Sequence, residues 1–161
     1  MRTGLWILNV MAVLWCVGAL HFSRLPLWWS VPAVAISAAI LLGTRHASDA
    51  TQEADRAHVG RLVAIWSSAE GVAIFLAANI LINLHMAERL LPTMAIIVGL
   101  HFLPLARGIP ARVYYWSGAA LVLVGAIGLL LPPDDAPLAT GLLAAATLWA
   151  SALASAKRGR A

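Results

Sequence analysis

The chain falls into six apolar runs, at residues 5–22, 27–43, 62–84, 90–106, 113–131 and 138–156, with short polar clusters between them. A helix crosses the hydrocarbon core of a bilayer with about 20 mostly apolar residues. The expected fold is therefore an all-α integral membrane protein, a single polytopic domain over residues 1–161 with six transmembrane helices. Composition agrees. Hydrophobic residues make up 61% of the 161 residues and charged residues 11%, against about 25% charged in soluble domains. The breaks are "SRLP" after the first run, "ARGIPAR" between the fourth and fifth, and "LPPDDAP" before the sixth. Proline and charge at these places mark chain reversals at an interface. The first run leads to no small-residue cleavage site and is expected to stay as a span rather than act as a signal peptide.

The basic residues set the expected orientation. With alternate sides assigned to successive breaks, one side collects Arg2, Arg45, Arg56, Arg61, Arg107, Arg112, Lys157, Arg158 and Arg160, and the other only Arg24 and Arg89. The positive-inside rule then places both termini in the cytoplasm (N-in, C-in). The net charge of +4 belongs to this asymmetry, and no nucleic-acid partner is expected. Membrane lipid is the expected partner, with the tail "SAKRGRA" against anionic headgroups at about 1 kcal/mol per basic residue. The cytoplasmic loop 44–61 holds helix-start signals, Ser48 or Asp49 as a cap with Gln52 and Glu53 in the first turn. The third helix is thus expected to begin outside the membrane and run unbroken into it, with His46 and His58 in solvated surroundings.

A faint echo links "ALHFSRLP" (19–26) with "GLHFLPLA" (99–106), and "WWSVPA" (28–33) with "YWSGAA" (115–120). If helices one to three duplicate as four to six, the odd number of spans inverts the second unit, giving a 3+3 inverted repeat of the kind found in transporters.

Ionisable groups inside a bilayer are costly and mark functional positions. Glu70 lies eight residues into the third run, about 12 Å deep. His101 precedes Arg107 by six residues in the fourth run, about 9 Å deep from the same side. The two runs are consecutive, so the residues are expected to meet, as a proton relay, a ligand-binding site or a structural pair. Asn79 and Asn83 share one face of the third helix, with Ser68 close to it and Glu70 roughly opposite. Two polar faces imply a helix buried on most sides. Pro104 frees the carbonyl of Leu100, and with Gly99 nearby a backbone kink beside His101 is expected. His21 and His85 fall at the non-cytoplasmic ends of helices one and three. They are weak metal candidates, and neither a metal site nor any cofactor is expected. Trp28, Trp29, Tyr114, Tyr115 and Trp116 read as an interfacial belt. Cys16, the single cysteine, excludes an intramolecular disulfide and a dithiol mechanism. The small residues of helix five (Gly118, Gly125, Gly128) and helix six (Gly141, Ala145, Ala146, Ala150, Ser151, Ser155) suit close packing or a homodimer contact.

No nucleophile elbow, metalloprotease signature or phosphate-binding loop is present. The leading expectation is a small bacterial inner-membrane transporter or channel-like protein, multi-pass, with a buried and proton-linked Glu/His site for an unassigned small molecule or ion. Two alternatives stand beside it: a membrane enzyme or lipid-binding protein using His101 as acid/base, and a structural or stress-response scaffold.

Overall fold

The computed structural model describes residues 2–44, 53–108 and 112–158, and all of the regular structure among them is helical. Six helices follow in order: α1 (Arg2–Phe22), α2 (Val31–Gly43), α3 (Glu53–Asn83), α4 (Leu90–Gly108), α5 (Arg112–Leu130) and α6 (Ala136–Arg158). Short 3₁₀ turns, Leu27–Ser30 and Ala87–Arg89, lead into α2 and α4. Five helices are long and apolar enough to cross a membrane, with segments Gly4–Phe22, His58–Asn83, Ala87–Arg107, Arg112–Leu130 and Ala136–Lys157.

The second run departs from expectation. Its α-helical part has 13 residues, about 20 Å at 1.5 Å per residue: the entry is a 3₁₀ turn that follows Pro26, and Pro32 already sits in the first turn of α2. It nevertheless returns along α1: Ser37 Oγ donates to the Asn9 carbonyl at 3.3 Å, and Leu5 and Thr44 line the same cavity. The end of α2 therefore lies level with the start of α1.

The chain reverses by the same device after α1 and after α3. Arg24 (φ 55°) and His85 (φ 57°) adopt the left-handed conformation. The next amides close the helix ends, Leu25 N–H to the Leu20 carbonyl at 2.8 Å and Met86 N–H to the Leu81 carbonyl at 2.8 Å. This six-to-one bond is the Schellman cap. A 3₁₀ turn follows in both cases, then a helix with proline in its first turn, Pro32 and Pro92. The local likeness thus pairs α1–α2 with α3–α4.

The body of the molecule is α1, α4, α5 and α6, and its core holds Leu5, Leu8, Trp15, Leu91, Phe102, Leu121 and Leu148. Glycines set the α4–α5 distance. A Cβ on Gly99 would stand 2.7 Å from the Gly118 carbonyl oxygen and the Val122 nitrogen, and one on Gly125 would stand 2.5 Å from the Pro92 carbonyl oxygen. Gly141 meets Trp15 and Ala19 of α1 in the same way. Ser117 and Ser151 join α5 to α6 with hydroxyls 2.6 Å apart. The glycines of the fifth and sixth helices are thus occupied within the chain, whereas Ala146 and Ala150 of α6 remain exposed.

The last two helices lie outside this body. α2 is tied to it through Ser37, whose hydroxyl accepts from Trp149 Nε1 at 2.9 Å. α3 packs chiefly on α4. A 3+3 correspondence would match α5 on α6 with α2 on α3, yet among the described residues α2 and α3 share no comparable interface.

Candidate functional site

The rotation of α4 places the site. Gly99 faces α5, and two residues later the helix has turned about 200°, so His101 faces α3. Phe102 returns toward α5 and stacks on Tyr114, with ring centroids 5.8 Å apart. The partner for His101 comes from α3: Glu70 Oε2 lies 3.6 Å from His101 Nδ1. That is ion-pair range and longer than a hydrogen bond. The side chains are 9% (His101) and 19% (Glu70) exposed, and His101 Nδ1 is buried without a hydrogen-bond partner. A carboxyl group and an imidazole at this spacing can hold one proton between them, as carboxylate and imidazolium or as two neutral groups. Direct exchange of that proton requires the two groups to close from 3.6 Å to hydrogen-bond distance.

The other candidates do not join this pair. Ser68, Asn79 and Asn83 are exposed on the outer side of α3, about half a turn from Glu70. Ser68 Oγ donates to the Ala64 carbonyl at 2.8 Å and Asn79 Nδ2 to the Phe75 carbonyl at 2.7 Å. The expected burial of α3 on most sides is therefore corrected: only its Glu70 face is packed within the chain. Gly99 serves the α4–α5 contact, and α4 stays helical through Pro104 to Gly108. Phe102 and Glu70, on either side of His101, bear on its position more directly than the proline does.

His21 is exposed with its ring edge-on to Phe22, and His85 holds the turn after α3. Among the described residues no three His, Cys, Asp or Glu side chains group as a metal site. Trp28, Trp29, Tyr115 and Trp116 are exposed as a belt requires, whereas Tyr114 is half-buried against Phe102. His58 is exposed on α3, while His46 and the capping residues Ser48, Asp49 and Gln52 lie outside the described residues.

One polar position was not anticipated. Asn9 of α1 is 1% exposed. Its Nδ2 donates to the Leu5 carbonyl at 2.8 Å, while its Oδ1 is buried without a partner. The same reasoning that picks out Glu70, a polar side chain within an apolar run, applies to it. Asn9 borders a lateral cavity of about 920 Å³ between α1 and α2, otherwise lined mainly by apolar side chains such as Trp6, Val13, Val34 and Leu41. His101 is not among its lining residues. No protein-family model matches the chain, and neither a curated protein nor a solved structure matches it significantly.

Proposed function

We propose that the protein is a small proton-linked membrane transporter or channel-like protein whose working group is the Glu70–His101 pair. The observation that carries this reading is the 3.6 Å approach of the two side chains across the α3–α4 interface, the main attachment of α3 to the rest of the chain. With one proton the pair is an internally neutral contact. Removing that proton leaves a lone carboxylate there, and adding one leaves a lone imidazolium. Either isolated charge is expensive in a low-dielectric setting. Proton occupancy then biases how closely α3 sits on α4, and a helix held by one interface is free to respond by a small shear. In the proposed topology α2 crosses with the other five helices and the arginine-rich ends face the cytoplasm, in a membrane such as a bacterial inner membrane.

The test uses protons as the probe. The purified protein is reconstituted in liposomes with an entrapped pH indicator, and a potential is imposed with potassium and valinomycin. The expected result is proton entry above that of empty liposomes, lost in Glu70→Gln and in His101→Ala. Unchanged flux in both variants overturns the site, and no wild-type flux overturns the proton linkage.

The second reading, a lipid-binding protein, draws support from the lateral cavity between α1 and α2. That cavity favours accommodation of an acyl chain and gives no part to His101 as acid or base.

A further inference from the structure

The outer face of α3 has a pattern the intrachain packing does not use. Ile65, Ser68, Val72, Phe75, Asn79 and Ile82 follow one another at spacings of three, four, three, four and three, the a and d positions of a heptad. On a helix they fall within roughly a 100° sector whose centre lies about 170° from Glu70. All six are exposed: Ile65 57%, Val72 60%, Phe75 66% and Ile82 56%, with Ser68 and Asn79 also in the exposed class. The membrane-length stretch of α3 has no buried residue, whereas the corresponding stretches of the other four long helices are 33–44% buried. The exposed Trp66, Leu76 and Ile80 flank this seam, and the polar Ser68 and Asn79 within it are what set it apart from a surface that only faces lipid.

We infer that this seam is the interface with a second copy of the chain, the two α3 helices forming a parallel, left-handed coiled coil. A symmetry constraint and one observation choose the occupant. Copies inserted in one orientation bring their α3 helices together parallel and in register about a two-fold axis along the membrane normal. Asn79 then meets its own counterpart, and a carboxamide is self-complementary. One Nδ2–H is used on the Phe75 carbonyl, leaving a second N–H and Oδ1 to exchange hydrogen bonds with the partner. Acyl chains have no such groups. A single Asn at an a position is the residue that fixes a two-stranded register, and Asn83 lies at the margin of the same seam. The Glu70–His101 pair stays on the far side of each α3, so the dimer places two α3–α4 interfaces on either side of a shared central pair of helices.

Cysteine cross-linking in membranes tests this on the full chain. The native Cys16 is buried, so it gives a quiet background. Val72→Cys and Phe75→Cys are expected to give a covalent dimer on mild oxidation, while Leu123→Cys, an exposed position on α5, stays monomeric. None of these substitutions touches the intrachain core. Asn79→Leu is expected to weaken association by roughly threefold to thirtyfold, measured by energy transfer between labelled copies at varied protein-to-lipid ratio. Cross-linking at Val72 and Phe75 no greater than at Leu123 overturns the proposal. So does a cross-linked product whose mass fits another protein, or an association constant indifferent to Asn79→Leu.

Discussion

At the scale of single residues, the glycines divide by what surrounds them, and this predicts opposite outcomes for one kind of substitution. Gly99 and Gly71 both lie in helices that are long and apolar enough to span. A Cβ on Gly99 meets backbone atoms of α5 at 2.7 Å, while one on Gly71 meets nothing within 4 Å. Backbone cannot rotate aside, so Gly99→Ala must separate α4 from α5. A loss of about 1–3 kcal/mol is expected, read as a lower thermal midpoint in detergent. Gly71→Ala is expected to leave the midpoint unchanged or raise it, by up to about 1 kcal/mol from helix propensity. Equal effects would contradict the close α4–α5 packing.

Separating α4 from α5 has a second consequence at this scale. Gly99 and His101 lie on opposite sides of one helical turn, so the substitution that disturbs the α5 contact also shifts His101 relative to Glu70. Proton flux in Gly99→Ala is expected to fall along with stability, whereas Gly71→Ala keeps it. Phe102, stacked on Tyr114, lies on the α5 side of α4 next to His101.

At the scale of elements, the helices differ in how they are held. α4, α5 and α6 are joined by interlocked small residues and a buried serine pair, and α1 packs on α6. α2 depends on Ser37, which accepts from Trp149 and donates to the Asn9 carbonyl. Ser37→Ala removes both bonds and leaves the Trp149 indole N–H without its acceptor, at a cost of about 1–3 kcal/mol. The loss should be local. Hydrogen exchange is expected to speed up in residues 31–43 with little change in α5, and uniform acceleration would refute a tether confined to α2. The turn before α4 is held differently: an Arg89 Nη1–H donates to the Leu129 carbonyl in the last turn of α5. A cation at a helix C-terminus is favourable both as a hydrogen bond and against the helix dipole. Arg89, one of the two basic residues that the proposed topology places outside the cytoplasm, therefore has a structural task.

At the scale of the whole molecule, the number of crossings rests on α2. Its 13 α-helical residues are short for a bilayer, yet Thr44 comes level with Leu5. If all six helices cross, Ser23→Cys and Asp134→Cys are expected to react with a membrane-impermeant thiol reagent from outside, and His58→Cys and Lys157→Cys to be protected until the membrane is opened. Labelling of His58→Cys together with Ser23→Cys would mean that α2 turns back without crossing.

Much of this architecture is decided locally and was legible in the residues. Apolar runs must be helices in a membrane because their backbone groups need internal partners, and so the six helices begin and end within a few residues of the expected places. Depth along consecutive helices was enough to bring Glu70 to His101. What only the tertiary structure decided is which side of each helix packs. In water an amphipathic stripe announces the buried face, but for helices apolar enough to cross a membrane lipid and protein interior would both be apolar, and the signal fades. The glycines of α5 and α6 look equally suited to a neighbour in the same chain or in another copy. Their close approach to Pro92, Thr140, Trp15 and Ala19 settles that they are used within it. The second polar face of α3 reads as burial until the helix is seen packed chiefly on α4. That face is open within the chain because α3 sits at the edge of the bundle, a fact of topology that no residue of α3 encodes by itself.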